Sequence, residues 1–174
     1  MVDPDLMRSQ ESYDFDQTKK IISSIYGRYG EVEVKQMPHY SHADMKFSVA
    51  GHTALVEIKE RKQDMEKYHD IPITCKKFCY LKKEVEDGGY GAAMYFILLN
   101  GTDYLLFNLT KLDLNSLGMR NWLIKKEELG NDNTTIEVPT FFIPVEKCIK
   151  KGKLHGLDKQ TQEKENVREE PPQA

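Results

Sequence analysis

The sequence predicts an α/β sandwich, a mixed sheet flanked by helices, and three observations carry that prediction. Residues 31–60 hold three stretches in which apolar and polar side chains alternate, the period of a half-buried strand. Apolar residues at helical spacing come before this meander (Ile21, Ile22, Ile25, Tyr26) and after it (Thr74, Phe78, Leu81, Val85). Ala92 to Leu99 is then a near-continuous apolar run, as for a strand buried on both faces.

Residues 1–12 are polar and are expected to form a flexible N-terminus. A helix is expected from Asp14, with Asp14 or Asp16 as its cap and Gly27 and Gly30 as its stop. Glu31 to Met37 alternates, with Val32 and Val34 on one side and Glu33 and Lys35 on the other, and Pro38 closes it. After the polar connector His39 to Ala43, a second strand runs from Asp44 to Ala50 with Met45, Phe47 and Val49 facing the core. Gly51-His52 is a tight-turn signal, and Thr53 to Glu60 is the third strand, with Ala54, Val56 and Ile58 on the core face. In that register Ala50 faces Thr53, Lys46 faces Glu57 and Asp44 faces Lys59. Asp44 and Glu57 are then diagonal neighbours on one face, about 7–8 Å apart at the backbone.

A second helix is expected to start near Pro72, which a first turn tolerates, and to stop at Gly88 and Gly89. Asn100-Gly101 is a hairpin signal that returns the chain as a strand over Tyr104 to Leu109. Residues 113–130 are expected to hold one or two short helical pieces carrying Trp122, and residues 135–143 to be extended but broken at Pro139. The division expected is a single domain over 13–150, with a core at 14–109 and a C-terminal extension at 110–150. The polar, mixed-charge residues 151–174 are expected to be a disordered tail.

Composition bounds the partners. The chain has 174 residues, 39% of them hydrophobic, a net charge of −3 and a pI near 6.0. A polyanion would have to be held by a local patch rather than by the whole surface. Three cysteines, Cys75, Cys79 and Cys148, form no framework spacing and point to a reducing, cytoplasmic setting. Met1 to Gln10 has no apolar run, so no secretory signal is expected. The run at Ala92 to Leu99 falls far short of the roughly 20 residues a spanning helix needs, so no membrane is expected as a partner.

The chemistry concentrates on the third strand. Glu57 and Lys59 are two residues apart and point to the same side, away from Val56 and Ile58. With Asp44 from the neighbouring strand they would make a site for a divalent cation, a water and a phosphate.

That order of elements, with Asp on the second strand and Glu-x-Lys on the third, resembles the PD-(D/E)XK nuclease superfamily over roughly residues 14–109. The resemblance implies a restriction-endonuclease-like α-β-β-β-α-β core with a mixed central sheet flanked by helices. The compact spacing looks most like the Holliday-junction-resolvase-like and small phage-type nucleases. Asp44, Glu57 and Lys59 fall on the motif residues, and Ala43 stands where the naming proline would be. The resemblance implies a metal-dependent DNA endonuclease that hydrolyses phosphodiesters with a metal-activated water. It implies Mg²⁺ or Mn²⁺ held by Asp44, Glu57 and the Ile58 carbonyl, and Lys59 orienting the water or stabilising added negative charge. Such nucleases often carry a further acid on the first helix; this chain has Asp14, Asp16 and Gln17 near that place and no clear Glu inside the helix. Many carry a Lys or Gln on the helix after the motif strand, for which Lys76 is the candidate, with Tyr80 one turn on. With no separate sequence-reading module identified, the DNA expected is structured: a junction, branch or end. Junction resolution needs two sites and so predicts a homodimer.

Blander readings stand beside these. Asp44, Glu57 and Lys59 can be a solvated face with a weak cross-strand ion pair, although Leu55 beside Glu57 argues that the face is partly covered. The fold can also persist as a catalytically inactive nucleic-acid-binding or assembly module, and the same groups can act on RNA. His39, His42 and Asp44 lack the further ligands a zinc site needs and read as a polar loop at the site mouth. Cys75 and Cys79 read as small core residues. Lys77, Lys82 and Lys83 read equally as a wet helix face. Lys147, Lys150, Lys151 and Lys153 read as a phosphate grip or as a solvated end. Trp122 reads as core or interface rather than as a base-stacking platform.

Overall fold

In the computed structural model, residues 4–38, 40–62, 69–125 and 135–153 are described. The expected disordered tail began at 151, but residues 151–153 belong to a strand paired on the main sheet. From 154 onward it lies outside these residues, as do residues 1–3, His39 and much of the charged stretch after Arg61.

Among the described residues, two α-helices and nine strands follow in the order α1 (Pro4–Tyr26), β1 (Glu33–Gln36), β2 (Met45–Val49), β3 (His52–Arg61), β4 (Asp70–Thr74), α2 (Cys75–Gly88), β5 (Ala92–Leu99), β6 (Asp103–Asn108), β7 (Gly118–Lys125), β8 (Thr135–Pro144) and β9 (Lys150–Lys153). A six-stranded sheet runs β1-β2-β3-β5-β6-β9, antiparallel throughout except for the parallel pair β3/β5. This is the α-β-β-β-α-β core with a mixed, helix-flanked sheet that the sequence predicted, with β4 set before the second helix. A second sheet, β4-β8-β7, stands beside it.

The strand alternation divides the core in two. Met45, Phe47, Val56, Phe96, Leu98 and Leu106 pack with Ile21 and Ile22 under α1. Leu55, Tyr95, Ile97, Leu105 and Phe107 face the other way, against Phe78, Leu81 and Val85 of α2 and Ile71, Ile73 and Ile143 of the second sheet. β5 supplies both layers because every one of its side chains but Ala92 is buried, which explains its unbroken apolar sequence. No described helix is long and apolar enough to cross a membrane.

Four further expectations are corrected. First, α1 begins at Pro4 rather than at Asp14, so residues 4–12 are helical where a loose start was expected. A proline is favoured in a first helical turn, where its missing N–H has no partner to lose. Second, the hairpin turns on Ala50-Gly51, not Gly51-His52. Val49 faces His52 and Lys46 faces Leu55, and Ala50 and Gly51 both have positive φ, 49° and 78°. That pair of angles is what a two-residue turn matched to strand twist demands. The register therefore moves by two residues, an even step that leaves every side chain on its expected face. Third, Pro72 lies in β4, and α2 starts after Thr74, whose hydroxyl accepts from the Lys77 backbone N–H at 3.3 Å. Pro72 is accommodated because β4 is the edge strand of its sheet. Fourth, the stretch carrying Trp122 is strand β7 rather than helix, and β8 continues through Pro139. β4 pairs only with Thr140–Pro144, so Pro139 owes it no hydrogen bond.

Candidate functional site

The site forms where β2 begins and β3 continues past it. Asp44 precedes the first residue of β2, and its backbone N–H donates to the Val56 carbonyl at 3.0 Å. The paired ladder ends with Met45 opposite Val56, so Asp44 meets β3 beside Val56 to Ile58 rather than opposite Lys59 as the expected register had it. The Asp44 side chain then turns back on β3, where its Oδ2 accepts from the Ile58 backbone N–H at 2.6 Å. Backbone groups of alternate strand residues point to the same neighbour. Ile58 therefore directs its carbonyl, like its N–H, toward the Asp44 edge, where β2 no longer pairs.

Glu57 sits on the α2 face of β3 and is 9% exposed. Its carboxylate is gripped on both oxygens by the Lys77 ammonium, at 2.9 Å to Oε1 and 3.0 Å to Oε2. The same ammonium donates to the His42 carbonyl at 3.0 Å, tying the loop before Asp44 to the start of α2. Burial pushes the Glu57 carboxyl up to about 7, and the Asp44 charge adds to the rise. Lys77 offsets these only in part, so near neutral pH the group sits close to its midpoint. Tyr95 flanks Glu57 in the parallel register and donates from its hydroxyl to the Pro72 carbonyl at 3.1 Å. Burial raises this phenol to about 12, so it stays a neutral donor.

Lys59 is half-buried two residues beyond Glu57 on the same face. Glu57, Lys59, Arg61 and Lys77 form one side of a cleft of roughly 140 Å³ that Thr74, Thr140, Trp122 and Ile124 close from the second sheet.

Lys76, the candidate helix lysine, is not the one that reaches the acids. It is exposed, and its ammonium lies 5.7 Å from the Tyr80 ring centroid. Lys77 takes the position instead. It lies four residues before Leu81, on the sheet-facing stripe, whereas Lys76 lies four before the exposed Tyr80. That (i, i+4) relation to Leu81 was the available signal. Tyr80 is exposed and stacks on the His42 ring at 4.1 Å between centroids. This fits the polar-loop reading of His42; His39 lies outside the described residues.

Asp14 and Gln17 are half-buried and Asp16 is exposed on α1, which covers the opposite face of the sheet from Glu57. The longer α1 also contains Glu11, so a glutamate does lie within the first helix. Among the described residues, no group of three or more His, Cys, Asp or Glu side chains gathers to hold a metal. Cys75, Cys79 and Cys148 are free thiols. Of the C-terminal lysines, Lys150, Lys151 and Lys153 lie on the edge strand β9, and Lys147 donates to Ser116 Oγ at 3.1 Å.

No protein-family model and no curated protein matches the chain. Among solved structures it matches Hjc from Archaeoglobus fulgidus, a Holliday junction resolvase from an archaeal hyperthermophile. The TM-score is 0.45 at 12% identity, over 75% of this chain and 83% of that one. Function is carried by the side chains of a site and not by a shared chain path of this kind.

Proposed function

We propose that this protein is a divalent-metal-dependent deoxyribonuclease of the PD-(D/E)XK type, hydrolysing phosphodiester bonds at structured DNA such as junctions, branches or ends. The observation that supports this reading is the convergence of Asp44, Glu57 and the Ile58 carbonyl at one end of β3, with Lys59 and Lys77 beside them.

The donor set fits the cation. Mg²⁺ and Mn²⁺ favour hard oxygen ligands, and Mg²⁺ typically takes one or two carboxylates, with water and substrate phosphate completing the shell. The Asp44 charge raises the cost of ionising Glu57, and a cation placed between them would relieve that cost. Asp44, Glu57 and the Ile58 carbonyl would hold it; when bound, it would lower the pKa of a water and offset charge building on the phosphate. Lys59 would orient the attacking water or meet the added negative charge in the cleft. Lys77 balances the charge of Glu57; with a cation in that role, its ammonium would be free to meet a phosphate oxygen. Resolution of a junction needs two such sites, which extends the proposal to a homodimer.

A second reading is a nucleic-acid-binding module without catalysis. It is favoured by one observation: Lys77 already holds both Glu57 oxygens, in the manner of a permanent internal counterion. Nicking assays on branched and linear DNA, with and without Mg²⁺ or Mn²⁺, separate the two. Metal-dependent cleavage lost in Glu57→Ala and Lys59→Ala supports the enzyme. Binding without cleavage in any metal supports the module, and the same assay on RNA tests the choice of sugar.

A further inference from the structure

The second sheet places the chain's single tryptophan on the wall of the cleft that contains Glu57 and Lys59. Side chains alternate along β7, so Arg120, Trp122 and Ile124 share one face. Trp122 and Ile124 line the cleft together with Thr140 of β8, which pairs with Arg120. An indole is ordinarily among the most deeply covered side chains, yet Trp122 is 42% exposed. It is nevertheless held in place. The Phe142 ring meets it in a T-shaped contact at 5.3 Å, and the Arg120 guanidinium lies 5.6 Å from its centroid. Arg120 is itself 3.9 Å from the Phe142 ring centroid, so the three side chains brace one another.

We propose that Trp122 stacks on an unpaired base of a strand entering the cleft, which makes nucleic acid with exposed single-stranded nucleotides the preferred ligand over fully paired duplex. Two features select that occupant. The aromatic face accepts any base, because every base offers a π-surface. The cations on the other side, Lys59 and Arg61, suit the phosphate chain that carries the base. A base inside a duplex is already stacked on its neighbours and must be unstacked before it can reach an indole, so paired ends and uniform duplex are at a disadvantage. The proposal depends on the nuclease reading for what happens to the strand afterwards, not for whether a base stacks.

The single tryptophan makes the test direct. Full-length protein in EDTA, where no turnover occurs, is titrated with an oligothymidylate and with a blunt duplex of equal length while indole fluorescence is followed. Saturable quenching by the oligothymidylate, at least about tenfold tighter than any response to the duplex, is expected. Anisotropy of a labelled oligothymidylate should then show binding weakened about 5- to 100-fold in Trp122→Ala and largely kept in Trp122→Phe. Trp122→Phe also guards against a folding defect in the alanine variant. No quenching, or equal quenching by both nucleic acids, overturns the proposal. So does a fluorescence change that tracks protein concentration without nucleic acid and accompanies a dimer mass, because Trp122 would then be a subunit contact. Quenching without cleavage in any metal supports stacking and removes the nuclease reading. Cleavage that requires Glu57 but proceeds without quenching does the reverse.

Discussion

Asp44 is fastened to the strand that carries its partner acid: its Oδ2 accepts the Ile58 backbone N–H at 2.6 Å, one residue beyond Glu57. The bond orients the carboxylate beside Glu57. Asp44→Asn preserves an oxygen acceptor for Ile58, so its melting temperature should stay close to that of the wild type. Its cleavage rate should nevertheless fall by about 100-fold or more, because a neutral amide holds a cation poorly. Asp44→Ala should lose about 1 kcal/mol of stability as well. Thermal melts and gel-based cleavage on the same preparations check this, and an Asn variant cutting at the wild-type rate would remove Asp44 from the site.

Lys76 and Lys77 are neighbours in sequence with opposite fates. Lys77→Met leaves the Glu57 carboxyl buried without its counterion, which should cost about 1–3 kcal/mol. The lower part of that range is favoured because the Lys77 side chain is 34% exposed and water screens it. Adding Glu57→Gln should recover most of the loss, giving a clear coupling in a double-mutant cycle. Lys76→Met should change stability by less than about 0.5 kcal/mol. Urea melts of the four variants measure this, and equal losses for the two lysines would contradict the assigned ion pair.

The Glu57 carboxyl binds its proton more tightly in the folded chain than in the unfolded one, at about 7 against an ordinary 4.5. Its ionisation therefore weighs against folding, and its contribution to stability declines as pH rises from about 4.5 to about 7, then levels off. Relative to Glu57→Gln, which carries no such titration, the wild type should lose on the order of 1–3 kcal/mol between pH 5 and pH 8. Divalent-cation binding should move the opposite way, strengthening through the same interval as the proton leaves. Denaturant melts and calorimetric Mg²⁺ or Mn²⁺ titrations at the two pH values test both signs.

Ala50 occupies left-handed backbone at φ 49°, a conformation that costs a side chain with a β-carbon about 1–2 kcal/mol. Asn100 sits at the same φ of 49° ahead of Gly101, with a residue type suited to the position. Ala50→Asn or Ala50→Gly should therefore stabilise the protein, by up to about 1 kcal/mol, without altering the β2/β3 register. A loss of stability in both would mean that the hairpin does not turn at Ala50-Gly51.

The same turn shows how far the sequence could be read. Alternation over Met45 to Val49 and Ala54 to Ile58 was enough to sort side chains by face, because one face of each strand is buried. It could not locate the turn, since alanine is a poor advertisement for left-handed backbone. Glu57, Lys59 and Asp44 were visible because their spacing is local to two adjacent strands. Lys77 was not singled out, because choosing between adjacent helix positions depends on where the apolar stripe is centred. The second sheet was least legible of all. β4 is five residues long with a proline at its centre, and β7 runs Trp122, Leu123 and Ile124 together with no polar break. Such strands are set by partners far away in the chain, and local pattern says little about them. Trp122, Thr140 and Tyr95 were therefore missed as walls of the cleft.

The far rim of the main sheet is closed by β9, four residues of which three are lysine, hydrogen-bonded along β6. Without it, the backbone beside Leu105 and Leu106 would lie open to any passing extended peptide. A row of like charges on the outermost ribbon makes docking by a second copy self-repelling. Replacing these lysines with neutral residues would leave the same edge open to pairing with its own copy.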